Sequence, residues 1–374
     1  MDNRSPRSTS VSKLGVLLAF VLLFLASAHF IRHHRTLRAD ATRATTQQIE
    51  NCANPTPDTA TTSASESCAT NNVGYRALTI AGRPVALWYP TAAQPASYSY
   101  NSNFSSTVAF QAPASTVCGR KVPLVLFSHG DFGCGLQSVA ITEELARHAY
   151  VVAAPDHADA FLCHTVEEKG APHRPAPQPS VFKPEIWDEK TFLDRRDDLE
   201  AVMSELLFNR EFQQVIDPQS IGAAGHSLGG YTVVGLAGGW ASWRDPRIHA
   251  VVAFSPYVMP FQVKKTLGGV HVPLMYQGGT LDVGITPFLQ GKDGAFAAAN
   301  PPVYFAVLPH AGHLALTNCS DNHTTASCLA NTTNARLIAD YTIAFFNHYL
   351  KSLPEPILEE PNPALADYKY RLPH

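Results

Sequence analysis

Three side chains able to act together on a carbonyl lie in the second half of the sequence, in the chain order Ser227, Asp282, His313. Ser227 sits in Gly225-His226-Ser227-Leu228-Gly229, a G-x-S-x-G pattern with Gly230 following. A free serine hydroxyl is a weak nucleophile. It becomes a strong one when a histidine takes its proton and a carboxylate orients that histidine. Of the histidines after Ser227, His313 is the favoured base. It follows an apolar run in Pro309-His310-Ala311-Gly312-His313, and the glycine before it allows the turn that aims the ring. His310 is its competitor. His348 lies inside the last helical pattern and reads as a packing or surface residue. The pair His310 and His313 as metal ligands lacks an evident third ligand. Asp282, in Gly278-Gly279-Thr280-Leu281-Asp282, is the candidate acid, against the blander reading of a turn or helix-cap residue. Asp245 and Asp293 are its alternatives.

Attack on a carbonyl also needs two donors for the developing oxyanion. The Leu228 N–H, where a helix begins, is one candidate. The other is expected in the loop Phe127-Ser128-His129-Gly130-Asp131-Phe132-Gly133, with the Asp131 N–H as first choice and Phe132 as second. His129 is expected to brace this loop rather than react. No cofactor or metal is called for by these residues.

The elements around these residues must present them at one edge. Residues 75–80 and 84–89 flank Ala81-Gly82-Arg83 as a hairpin, and 92–120 look polar and irregular. Short apolar runs at 123–127, 151–155, 221–225, 250–254, 271–277 and 302–308 read as buried strands. Helical patterns over 138–148, 188–208, 228–237 and 335–350 alternate with them. Repeated strand–helix units imply an α/β class with a mostly parallel, doubly wound sheet and flanking helices. Ser227 then follows a strand and opens a helix, the context a nucleophile elbow requires. Residues 157–187, rich in Pro and His, are long for a connection and are expected to wall a cleft.

Length and composition fit one catalytic domain. The 374 residues are 45% hydrophobic and 16% charged, and a net charge of −3 with scattered basic residues argues against a nucleic-acid partner. Residues 1–28 read as a signal peptide, with basic Arg4, Arg7 and Lys13, an apolar run from Leu14, and Ala26-Ser27-Ala28 as a cleavage site. The rival reading is an uncleaved membrane anchor through residues 14–31. Residues 29–72 form an Ala/Thr/Ser-rich stalk without apolar period. The catalytic domain is assigned to 73–354 and a C-terminal tail to 355–374. Either reading of the leader places the domain outside the cytosol, secreted or membrane-anchored.

Seven cysteines without a zinc spacing suit disulfides in such a compartment, though several could be buried thiols. Cys319–Cys328 is the first expected pair. Cys52–Cys68 and Cys134–Cys163 follow, with Cys118 left over. Asn103, Asn318, Asn322 and Asn331 head N-x-[ST] sequons.

With these residues in place, the chain resembles the platelet-activating-factor acetylhydrolase family and the related dienelactone-hydrolase-like and polyester-hydrolase proteins. The likeness runs through Leu87-Trp88-Tyr89-Pro90, the Phe127-Ser128-His129-Gly130 loop, Arg195, Asp198 and Leu199, Gly225 to Gly230, Gly312-His313 and Cys319…Cys328. It implies an α/β-hydrolase fold without cofactor and a serine carboxylic-ester hydrolase acting through an acyl-enzyme. The implied partner is a small-molecule or lipid ester with a short acyl chain, with 1-alkyl-2-acetylglycerophosphocholine-like lipids among the candidates. One position departs from the animal acetylhydrolases, whose acid lies after the strand following the nucleophile helix. Here that position reads Phe254-Ser255-Pro256, and Asp282 resembles the polyester-hydrolase arrangement instead. A polyester or small-ester hydrolase is therefore the alternative within the class. A peptidase or amidase, or a non-catalytic surface binding protein on the same scaffold, are alternatives outside it. Oligomeric state is not legible.

Overall fold

Runs of four to seven apolar residues cannot leave either face in water, so they enter a sheet covered on both sides. The computed structural model describes residues 71–101, 104–161, 177–319 and 324–373. The expected leader or anchor (1–28), and all of the expected stalk (29–72) except Asn71 and Asn72, lie outside them. Among the described residues eleven strands form one sheet in the order β11-β10-β9-β8-β7-β5-β6-β2-β1-β4-β3. They are β1 Asn72–Ile80, β2 Arg83–Thr91, β3 Ala96–Asn101, β4 Phe104–Phe110, β5 Val122–Ser128, β6 Val151–Pro155, β7 Ile216–His226, β8 Ala250–Phe254, β9 Leu274–Gly279, β10 Val303–Leu308 and β11 Asp367–Arg371. The run from β6 through β5, β7, β8 and β9 to β10 is parallel throughout. Residues of β5, β6, β8, β9 and β10 are buried along their whole length.

Helices close both faces. Helix α1 (Val139–Arg147) and α5 (Thr333–Lys351) pack on one face. There Leu337, Ile338, Tyr341 and Phe345 join Val125, Phe127, Val252 and Met275 in the main core. Helix α2 (Leu193–Phe208) packs on β5 and β6, and α3 (Leu228–Val234) on β7 and β8; α2 and α3 also touch each other. A further helix, α4 (Thr325–Asn331), precedes α5. This is the expected doubly wound arrangement, and the register aligns the strand ends. Ser128 faces Gly225, His226 faces Phe254, and Gly279 faces Leu308. The loops leaving β5, β7, β9 and β10 therefore share one edge, where α/β sheets bind ligands.

Two expectations are corrected at the flanks of the sheet. Residues 92–120, read as irregular, contain the antiparallel hairpin β3–β4. Its signal was there at period two: Tyr98 and Tyr100 alternate with serines and meet the Tyr75 ring at 5.2 and 4.7 Å. The segment assigned to a C-terminal tail carries β11, which pairs antiparallel with β10. The helix expected over 188–208 starts at Leu193, because Phe192 turns through a left-handed conformation (φ 57°). Among the described residues no helix is long and apolar enough to cross a membrane; the apolar run 14–31 lies outside them.

Candidate active site

Strand β7 delivers Ser227 directly from the buried sheet into α3. Its backbone stands at φ 55°, ψ −114°, a conformation that costs a non-glycine residue about 1–3 kcal/mol and persists only where the surroundings hold it. The surroundings do hold it. Ser227 N–H donates to the Phe254 carbonyl at 2.9 Å, and its carbonyl accepts from Tyr231 and Tyr257 at 3.1 and 3.0 Å. Gly229 lies against the β5 loop so closely that a Cβ would stand 1.9 Å from the Ser128 carbonyl oxygen. Ser227 itself is partly exposed. The Leu228 N–H is among the first-turn amides that a helix leaves without an internal acceptor.

The loops after β9 and β10 interlock. Leu281 N–H donates to the Ala311 carbonyl at 2.9 Å, and a Cβ on Gly279 would fall 2.1 Å from the same oxygen. This contact sets Asp282 beside His313, with His313 Nδ1 2.9 Å from Asp282 Oδ2. The Asp282 side chain is fully buried, while that of His313 is 17% exposed. A buried carboxylate on Nδ1 keeps the proton there and leaves Nε2 as an acceptor.

His226, the neighbour of Ser227, ties the elbow to this pair. Its Nε2–H donates to the His313 carbonyl at 3.0 Å, and the two rings lie 4.7 Å apart. Burial, with His313 adding to it, pulls the His226 pKa down to about 3. The ring stays neutral, and its Nδ1 accepts from Gln137 Nε2 at 3.3 Å.

The β5 loop is fixed from beneath. Arg195, fully buried on α2, donates to the His129 carbonyl (2.6 Å), the Gly130 carbonyl (3.0 Å) and Asp159 (2.8 Å). Burial lowers its pKa to about 10, against the upward pull of Asp131, Asp194 and Asp198, so it remains a cation at neutral pH. Gly130 N–H donates to Gln137 Oε1 at 2.6 Å. Phe132 N–H donates to Asp159 Oδ2 at 3.2 Å. That N–H is already engaged, which weighs against Phe132 as the second oxyanion donor. His129 Nδ1–H bonds the Gly130 carbonyl at 2.7 Å, in line with a bracing role.

The competing residues lie elsewhere. His310 is exposed, with its N–H on Thr280 Oγ1. Asp245 is held by Arg247 at 2.6 Å, and Asp293 is exposed. Among the described residues no three His, Cys, Asp or Glu side chains group to hold a metal. Cys319 and Cys328 form a disulfide, with Cα atoms 5.6 Å apart. Cys118 and Cys134 are disulfide-bonded too. A bonded Cys118 corrects the set of pairings that left it over; Cys52, Cys68 and Cys163 lie outside the described residues. Sequence reasoning gave no role to Gln137, His157 or the bracing side of His226. His157 stands just after the end of β6, a position that could have drawn notice.

Comparison with known proteins agrees with this architecture. The model of the family "Platelet-activating factor acetylhydrolase, isoform II" matches residues 96–207, which include the β5 loop and Arg195 and end before Ser227. A platelet-activating factor acetylhydrolase of Cavia porcellus is 29% identical over 164 residues, 38% of this chain. The match covers 36% of that relative, so the chain spans little more than a third of its length. The solved structure of a ferulic acid esterase from Streptomyces cinnamoneus superposes with a TM-score of 0.56 at 17% identity, over 83% of this chain and 98% of that one. The chain shares the α/β fold of that esterase, and over residues 96–207 its sequence is similar to the platelet-activating factor acetylhydrolase family.

Proposed function

We propose that the protein is a serine carboxylic-ester hydrolase in which Ser227 is the nucleophile, His313 the base and Asp282 its orienting acid. The observation that carries this reading is the 2.9 Å bond between His313 Nδ1 and buried Asp282, on loops sharing a sheet edge with a strained serine at a strand–helix junction. Ser227 Oγ gives its proton to His313 Nε2 and attacks the ester carbon. The Leu228 and Asp131 N–H groups receive the oxyanion. The proton passes to the departing alcohol, and a water deprotonated by His313 then releases the acid and frees Ser227. In the full chain, Ser227→Ala should abolish p-nitrophenyl acetate turnover and labelling by a fluorophosphonate while the circular dichroism spectrum is kept. Turnover retained by pure, folded Ser227→Ala protein would overturn the assignment.

The substrate we propose is an ester with a short acyl group on an apolar alcohol, a class that includes acetylated glycerophospholipids. The loops bearing the reactive groups carry exposed apolar side chains: Phe132 (44% exposed), Leu281 and Val283 (each 60%), and Leu314 (56%). Such a rim favours an apolar ester over a peptide. The similar proteins are named for the acetyl group of platelet-activating factor and for an ester of ferulic acid, and a panel holding both kinds beside a polyester film would rank them. The disulfides fit an oxidising compartment, and we propose that the domain acts outside the cytosol.

A further inference from the structure

Beneath the β5 loop lies a second serine–histidine–aspartate chain. Ser128 Oγ is 2.9 Å from His157 Nε2, and His157 Nδ1 is 2.9 Å from Asp198 Oδ2. Asp198 Oδ1 is held by Arg83 at 2.9 Å. The wiring repeats that of a nucleophilic triad, but Ser128 is completely buried and His157 nearly so, so no ester can reach that hydroxyl. Its links run instead into the loop above. His157 N–H donates to His129 Nε2 at 3.0 Å, which puts the His129 proton on Nδ1, the atom bonded to the Gly130 carbonyl. Arg195 reaches Ser128 Oγ at 3.4 Å and holds the carbonyls of His129 and Gly130.

The Gly130 carbonyl thus accepts from the His129 ring, from Arg195 and from Gly133 N–H (3.1 Å). In a planar trans peptide the C=O and the next N–H point in opposite directions. Three donors drawing that oxygen inward turn the Asp131 N–H the other way. The loop itself rests on the elbow, through Ser128 against Gly229 and Gly130 against the His226 ring. We infer that Ser128, His157, Asp198 and Arg195 form a buried positioning network that aims the Asp131 N–H as an oxyanion donor. This rests on the ester-hydrolase reading above, and its residues are positioning rather than catalytic.

The test uses the full chain and the variants Arg195→Lys, His157→Asn and Ser128→Ala. Lysine keeps the charge but cannot bond two carbonyls in a fork. Loss of one oxyanion donor costs about 10²–10³ in kcat, so partial misalignment should cost at least about tenfold. The expected result is that kcat on p-nitrophenyl acetate and the rate of fluorophosphonate labelling at Ser227 fall together, with KM within about twofold. Amide hydrogen exchange over residues 129–133 should quicken. If Arg195→Lys does not fold, Ser128→Ala, which removes one buried oxygen, gives the same readout. Folded variants with wild-type kcat and wild-type exchange would overturn the network, as would a rise in KM alone. Phosphonylation of Ser128 in Ser227→Ala protein would overturn it too, by making Ser128 a nucleophile. Activity retained in Ser227→Ala without such labelling refutes the parent reading instead, and loop exchange in Arg195→Lys then decides the network by itself.

Discussion

Ser128 and Ser227 differ in one respect that decides their chemistry: who can reach the hydroxyl. Ser227 is partly open to solvent, while Ser128 is sealed. Under the proposed mechanism Asp282 orients His313, and Asp282→Asn keeps the shape but offers the wrong hydrogen-bonding partner to Nδ1. We expect kcat to fall by about 10⁴. Asp245→Asn, at a carboxylate already bound by Arg247, should stay near the wild type; steady-state kinetics on both variants checks this. A second prediction concerns His226, whose pKa is held near 3 in the folded chain. The unfolded chain takes up this proton near pH 6.5 and the folded one does not. The stabilisation is thus complete above pH 6.5 and is lost as pH falls toward 3. The slope is at most about 1.4 kcal/mol per pH unit, roughly 5 kcal/mol in total. Urea unfolding at pH 7, 5 and 4 should show this decline, and His226→Asn should flatten it. The positions of Ser227, Asp282 and His313 in loops after strands were legible because each has a glycine within a few residues before it. The network of Ser128, His157, Asp198 and Arg195 was not, since its members come from β5, the loop after β6 and α2 and meet only through buried hydrogen bonds.

At the scale of elements, what was legible is what periodicity encodes. The all-apolar strands β6 and β8 appear with the expected bounds, and the others shift by a few residues. The hairpin β3–β4 and strand β11 were missed for a shared reason: β3 and β11 are at most half-buried, with tyrosines among polar residues, and pairing across the sheet outweighs weak local preference. Strand β11 covers the β10 edge, and Tyr370 stacks on Tyr304 with centroids 6.1 Å apart. Ending the chain after Ala366 would expose that edge, a template for further strand pairing. We expect the truncated protein to melt lower and to scatter light well below the melting temperature of the full chain. The tightest junction between elements is Gly229 against β5. Gly229→Ala would drive a Cβ into a backbone oxygen, which no rotamer change relieves. A destabilisation of about 3 kcal/mol is expected, with loss of esterase activity, read from thermal melts and kinetics.

For the molecule as a whole, the distribution of exposed apolar side chains bears on substrate. Sequence patterning places apolar residues on core faces, but it did not show that Leu281, Val283 and Leu314, chain neighbours of Asp282 and His313, face solvent. That arrangement depends on the β9 and β10 loops interlocking through Ala311. Scattered exposed apolar residues are ordinary; several on loops that carry the reactive groups suggest contact with an apolar ligand. Each leucine or valine fully covered contributes roughly 1.5–3 kcal/mol, and partial cover by a bound alcohol or chain leaves about 1 kcal/mol each. The triple variant Leu281→Ser, Val283→Ser, Leu314→Ser should then lose about 3 kcal/mol, or on the order of 10²-fold in kcat/KM, on an acetylated ether glycerophospholipid. p-Nitrophenyl acetate, too small to span the rim, should lose less than about threefold. The ratio of the two losses, measured on one folded preparation, carries the comparison. Equal losses would place these side chains outside the substrate path and remove the apolar rim as support for a lipid or other apolar ester.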